Sequence, residues 1–177
     1  MWIIGWQGNL SIALREFNVN IVRRKRQLLY NPLMSAKQIP SITVRPYQDS
    51  DYSGVRQIFE IHKVFYEPFD SQEKFKAKID RDPESILIAA LNKEVVGTVS
   101  LMEDGRMAFI FRLAVKPESK NAGVGILLMH QAEKELFSRG YKEIHILVDS
   151  NNEQLADYYK KRGYETGHKY RWMTKER

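Results

Sequence analysis

The 177-residue sequence predicts an α/β fold: a mixed, largely antiparallel sheet flanked by helices, in the order β-α-α-β-β-β-α-β-α-β. Three observations carry that prediction. From Ile42 onward, short apolar runs alternate with stretches whose apolar residues recur every three or four positions. Two tight-turn signals, Asn92-Lys93 and Asp104-Gly105, join consecutive strand-like runs, which makes those runs antiparallel. A glycine-rich turn, Gly123-Val124-Gly125, then separates the last of them from an amphipathic helix.

The elements follow in order. Ile42-Thr43-Val44-Arg45 is a short β-rich run. Asp49-Ser50-Asp51 supplies helix-start residues before Val55, Ile58, Phe59, His62 and Phe65, and Pro68 closes that helix. Ser71 begins a second helix carrying Phe75 and Ile79. Ser85 to Leu91 is an apolar strand, Val95 to Leu101 returns antiparallel to it, and Met107 to Val115 completes the meander. After Pro117 and the glycine turn comes a helix of about 15 residues, with Leu128, Ala132 and Leu136 on one face and Gly140 just past its end. Ile144 to Val148 reads as a buried strand, Asn152 to Arg162 as a helix stopped by Gly163, and Tyr164 to Met173 as a final strand region.

Composition narrows the chemistry. Cysteine is absent, which excludes disulfides, thiolate metal sites and a cysteine nucleophile. The four histidines (His62, His130, His145 and His168) show no ligand spacing, so no metal is expected. The net charge of +6 is unevenly spread. Residues 1–41 carry six Lys/Arg against the single acid Glu16, whereas 42–177 carries 22 basic and 21 acidic residues. The basic character therefore belongs to an N-terminal extension, residues 1–41, which holds Arg23-Arg24-Lys25-Arg26 and reads as partly helical or poorly ordered. Met34 offers an alternative initiator within it. The domain proper is expected over 42–177, and nucleic acid is not an expected partner of it. No apolar stretch reaches spanning length and no signal pattern leads the chain, so a cytoplasmic protein without a membrane partner is the expectation.

The loop Lys120-Asn121-Ala122-Gly123-Val124-Gly125 carries the functional signal. A glycine turn between a strand and a helix exposes backbone N–H groups at the positive end of the helix dipole, where a pyrophosphate binds. Gly123 and Gly125 permit close backbone approach and dihedrals that side chains forbid, and Lys120 adds a charge at the rim. A GxG pair alone is equally a structural turn; its neighbours sort the readings. A P-loop needs GxxxxGK followed by Ser or Thr, which is absent. A dinucleotide fold needs a third glycine where Leu128 stands, and an opening βαβ unit where hairpins stand.

The run Leu113-Ala114-Val115-x-Pro117-Glu118-x-Lys120-x-x-Gly123-x-Gly125, followed by an amphipathic helix, resembles the signature of the GCN5-related N-acetyltransferases, the GNAT family. Val95-Val96-Gly97-Thr98-Val99 is similar to that family's third strand. Asn152-x-x-Leu155-Ala156-x-Tyr158-Tyr159-x-x-x-Gly163-Tyr164 is similar to its late helix. The resemblance spans residues 42–173 and is sharpest over 95–165. It departs from the pattern at Lys120, where Arg or Gln is usual and a point charge replaces a planar fork.

The resemblance implies an acyl-CoA-dependent N-acyltransferase that moves an acetyl group from acetyl-CoA, as co-substrate, to a primary amine of a small molecule or peptide by direct attack. Leu113, Ala114 and Val115 would present backbone groups to the pantetheine arm, Lys120, Asn121, Ala122, Gly123, Val124 and Gly125 would hold the pyrophosphate, and Asn152 would contact the arm. Tyr159 falls where the family places the tyrosine that serves the CoA sulfur; its other reading is a packing ring. No carboxylate lies on Met107 to Arg112, so the base stays open among Glu67, Asp70, Glu103, Asp104, His145 and a water chain. The acceptor is expected near 60–75, where His62, Phe65, Tyr66, Glu67 and Phe69 give an aromatic, mildly acidic lining. Alternatives are a CoA-binding module of the same fold without competent chemistry, or a nucleic-acid-binding protein acting through Arg23–Arg26. A monomer or homodimer is expected.

Overall fold

The computed structural model describes residues 41–171 and 173–175. Residues 1–40 of the expected extension, with Arg23–Arg26 and Met34, lie outside the described residues. The sequence from Ile42 folds as β1 (Ile42–Pro46), α1 (Tyr52–Ile61), α2 (Glu67–Asp70), α3 (Gln72–Arg81), β2 (Ile86–Leu91), β3 (Glu94–Glu103), β4 (Ala108–Val115), α4 (Val124–Ser138), β5 (His145–Ile146) and α5 (Glu153–Lys160). Single 3-10 turns, Asp49–Asp51 and Pro117–Ser119, precede α1 and the glycine loop. The five strands lie in sequence order. Successive pairs are antiparallel except β4 and β5, which are parallel.

Turn chemistry sets the meander. Asn92 and Lys93 both adopt positive φ, 51° and 71°, the geometry of a two-residue turn whose twist matches its strands. At the next hairpin the Asp104 carboxylate accepts the N–H groups of Arg106 (2.9 Å) and Met107 (2.8 Å). Ser71 caps α3 by accepting the N–H of Lys74 at 3.4 Å.

The sheet is covered on both faces, which is why β2 reads as an unbroken apolar run. Leu87 and Ala89 face one core, built with Val124, Leu128, Ala132 and Leu136 of α4. Ile86, Ile88 and Ala90 face the other, built with Val55, Ile58 and Phe59 of α1 and Phe75 of α3. Leu128 and Leu136 are fully buried; each such side chain contributes roughly 2 kcal/mol. Gly97 decides how closely α4 approaches. A Cβ there would lie 2.9 Å from Val124 Cγ1 and 3.0 Å from Leu128 Cδ1, so only glycine lets the first turns of α4 rest on β3.

Three elements differ from expectation. The first helix ends at Ile61, because Lys63 turns the chain at φ 56°, and Pro68 sits in the first turn of α2, where its missing N–H costs nothing. The fifth strand pairs over two residues only. The expected strand from Tyr164 to Met173 does not form among the described residues. Tyr164 is drawn to the helices instead: its ring packs on Tyr159 and its hydroxyl donates to Glu133 at 2.8 Å. The exposed Glu165–Arg171 that follow offer no apolar alternation to pair with a sheet.

Candidate active site

The site is built where β4 breaks its register. Thr98 pairs with Ala114 and Ser100 with Phe111, so two residues of β4, Arg112 and Leu113, oppose Val99 alone. This is a β-bulge, and Arg112 adopts φ 55° within it. An extra residue bends a strand. Accordingly β4 pairs with β5 only at Phe109↔His145 and Ile110↔Ile146. From Phe111 to Val115 that edge of β4 has no strand partner among the described residues. Leu113, Ala114 and Val115 lie on it.

A left-handed arginine costs roughly 1–2 kcal/mol, and its side chain supplies the compensation. The guanidinium donates to Asp70 Oδ2 at 2.9 Å and to the Val64 carbonyl, and lies 5.1 Å over the Phe59 ring. Asp70 is buried and also accepts the Tyr66 N–H at 2.7 Å. The bulge is thus clamped to the segment between α1 and α3 by charge-assisted bonds. Close by, His62 Nε2 lies 2.8 Å from the Val115 carbonyl. A carbonyl only accepts, so Nε2 carries the hydrogen of this bond.

Beyond β4 the glycine loop opens a run of donors. The N–H groups of Lys120 and Ala122 are used within the turn, by Pro117 O (3.1 Å) and Ser119 O (3.3 Å), and that of Leu127 bonds Gly123 O at 3.0 Å. Between them the N–H groups of Gly123, Val124, Gly125 and Ile126 find no acceptor among the described residues. No side chain caps α4 and no acid stands in its first turn. Gly123 sits at φ 81°, and a Cβ on it would meet nothing within 4 Å. Four unpaired donors at the positive helix end, with open space beside Gly123, are the arrangement an anion requires. Gly125 differs from expectation. Its φ is not left-handed, and a Cβ there would lie 3.5 Å from the Tyr158 hydroxyl and 3.7 Å from Val115 Cγ2, ordinary contact distances. That contact joins β4, the loop and α5 at one point.

The residues of α5 divide their roles. Asn152 Oδ1 accepts the Leu155 N–H at 3.0 Å and so caps the helix. Tyr159 is 9% exposed and packs edge-on against Tyr158 and Tyr164, within the core that α4 shares with the sheet. Its hydroxyl has no hydrogen-bond partner among the described residues, and burial pushes its pKa up. Tyr158, whose hydroxyl reaches Gly125, carries the Arg162 guanidinium 3.3 Å over its ring; only its adjacency to Tyr159 could have signalled it.

The carboxylates considered as a base are largely committed elsewhere. Glu103 accepts from the Tyr141 hydroxyl and the Gly105 N–H, and Asp104 caps the same hairpin. These bonds hold both below the ordinary carboxylate range. Asp70 Oδ2 is shared by Arg112 and Tyr66. His145 lies in β5 with its ring 5.2 Å from that of Phe109.

On the face away from α4, a cleft of about 220 Å³ runs from Arg112 and Phe111 along α3. Of the five residues expected near the acceptor, Phe69 lines this cleft. His62 turns to Val115, Phe65 lies 4.8 Å beneath the Arg56 guanidinium, and Tyr66 packs on Phe69. The charged residues of the cleft are Asp70, Lys74, Lys78 and Arg112; sequence periodicity places the two lysines on one helix face without showing that a cleft lies before it.

Residues 55–164 match the model of the acetyltransferase (GNAT) family. The chain belongs to that family. It is 29% identical to an acetyltransferase of Pectobacterium atrosepticum over 123 residues, covering 70% of this chain and 87% of that protein. It is 31% identical to an acetyltransferase of Yersinia enterocolitica over 124 residues, with the same coverage. Among solved structures, Ard1 from Thermoplasma volcanium superposes with a TM-score of 0.64 at 22% identity, covering 72% of this chain and 84% of that one. The PaiA N-acetyltransferase from Thermoplasma acidophilum, solved with coenzyme A, gives 0.62 at 22% identity, covering 72% and 91%. At such identities the two structures establish the GNAT fold, a mostly antiparallel five-stranded open sheet flanked by helices.

Proposed function

We propose that the protein transfers the acetyl group of acetyl-CoA to a primary amine of a small molecule or peptide by direct attack. The observation that carries this reading is the run of four unpaired backbone N–H groups, Gly123 to Ile126, at the end of α4. They supply what a pyrophosphate needs, and in a GNAT chain that group belongs to CoA. Lys120, Asn121 and Ala122 complete the loop, with the exposed Lys120 ammonium at its rim. The unpartnered edge at Leu113, Ala114 and Val115 is suited to bond the amides of a pantetheine arm as a further strand would. Asn152 Oδ1 is taken by its cap, so the side-chain amide N–H₂ is the group it would offer the arm.

The reaction asks for a neutral amine beside the thioester carbonyl; juxtaposition alone supplies several kcal/mol of the barrier. As the nitrogen–carbon bond forms and the carbon–sulfur bond breaks, the amine loses a proton and the sulfur gains negative charge. Tyr159 is the group assigned to that sulfur. Burial holds its phenol above its ordinary value near 10, and so above a thiol near 8.5. A phenol so placed stabilises the thiolate by donating a hydrogen bond without ionising, and the proton released by the amine completes the thiol.

The test is thiol release from acetyl-CoA across a panel of primary amines. Acceptor-dependent release supports the transferase reading; saturable acetyl-CoA binding without release on any amine contradicts it and leaves a CoA-binding module.

A further inference from the structure

The cleft beside the bulge carries more charge than its own structure uses. Arg112, Lys74 and Lys78 line it against a single carboxylate, Asp70, which is already paired with Arg112. Neither lysine has a carboxylate within 4 Å among the described residues. Lys78 is partly buried, yet its ammonium, with three donors, has one partner, the Leu101 carbonyl at 2.5 Å. Its burial lowers its pKa, only partly offset by the more distant Asp82 carboxylate. Lys74 stands one helical turn away on α3, so the two ammonium groups share a face with their Cβ atoms about 6 Å apart. Beneath them the cleft is apolar, walled by Phe69, Phe75 and Phe111.

We infer that the acetyl acceptor is a small amine that also carries an anionic group, bound by Lys74 and Lys78, with its apolar part on the aromatic wall. The inference rests on the acetyltransferase reading and specifies its acceptor. The lining suggests how the molecule is oriented: the lysines come from α3, while Phe111 and Arg112 come from the bulged strand whose open edge would hold the thioester. An anion fixed at the lysine end leaves the amine free to point at β4. A volume of about 220 Å³ suits a molecule of amino-acid size, below the roughly 300 Å³ at which pockets for larger ligands begin. A polycationic acceptor would meet two like charges on entering and only one carboxylate, already engaged by Arg112.

Matched acceptors test this. Thiol-release kinetics are measured for α-amino acids against their carboxamides, and for phosphate-monoester amines against the parent amino alcohols. The two series distinguish a carboxylate from a phosphate as the preferred anion. The anionic member of at least one series should show kcat/KM about tenfold or more above its neutral partner. Lys74→Glu, a change at an exposed position, should remove that advantage through KM while the acetyl-CoA Kd stays unchanged. Lys78→Gln should act in the same direction from the buried side. Neutral partners used equally well, or a preference that survives Lys74→Glu, would overturn the inference. So would acetyl-CoA binding with turnover of cationic amines only. A protein that bound no acetyl-CoA would overturn the reading beneath it, and the titration alone reveals that case.

Discussion

Tyr159 shows how far one side chain can be read from its neighbours in the chain. Its spacing from Asn152 and Gly163 marks it in the sequence, while its ring also fills a core between α4 and the sheet. In the structure the ring is packed and the hydroxyl is left without a partner among the described residues, so the two readings differ in what they ask of the hydroxyl. Removing only that hydroxyl separates them. Tyr159→Phe should lower kcat by about a hundredfold, the lower range for removing one hydrogen-bond donor to developing charge, and leave the acetyl-CoA Kd within a factor of two or so. Unchanged turnover in steady-state assays would make Tyr159 a packing residue. Other positions were legible in type but not in role. Gly125 was readable as a glycine of the loop, but its neighbours, the Tyr158 hydroxyl and Val115, are long-range contacts that spacing does not encode. The same holds for Arg112, whose left-handed backbone is stabilised by Asp70, 42 residues earlier in the chain.

Among the elements, those with a strong local signal appear as read. The hairpins at Asn92-Lys93 and Asp104-Gly105 and the apolar face of α4 are determined by residues within one turn of each other. The misread ends, at Pro68, β5 and Tyr164–Met173, depend on tertiary competition: Tyr164 bonds Glu133 of α4 in place of forming a strand. How α3 meets α4 is equally non-local. Arg139, at the end of α4, bonds Asp82 at the end of α3 through both terminal nitrogens, 2.7 and 3.1 Å, and Glu135 at 2.8 Å. The Arg139 bond holds the Asp82 carboxyl below its ordinary range. A depressed carboxyl contributes stability that is complete above its unfolded value near 3.9 and is lost as pH falls through the lower folded value. Asp82→Asn should therefore cost about 1 kcal/mol at pH 7, given that the pair is partly solvated, and progressively less below about pH 4. Urea denaturation at several pH values checks this. An equal loss at pH 7 and pH 3 would assign the effect to packing.

Taken as a whole, the domain uses one sheet to keep two sites apart. The glycine loop, α4 and α5 belong to one face and present the unpaired N–H donors; α1, α2 and α3 cover the other and line the lysine-bearing cleft. The bulge at Arg112–Leu113 lies on the stretch of β4 that has no partner on its β5 side among the described residues. The family, the meander and the loop could be recognised from residues alone because each rests on short-range spacing. The base could not, since it requires knowing which carboxylates are already engaged. The central claim is that the donors from Gly123 to Ile126 hold the pyrophosphate of acetyl-CoA. Calorimetric titration of acetyl-CoA into the wild-type protein and Gly125→Glu tests it most directly, because the substitution brings a carboxylate to the loop at a position whose backbone tolerates a side chain. Saturable one-to-one binding to the wild type and none to the folded variant is the predicted result. No binding to the wild type, or equal affinity in the variant, would contradict it.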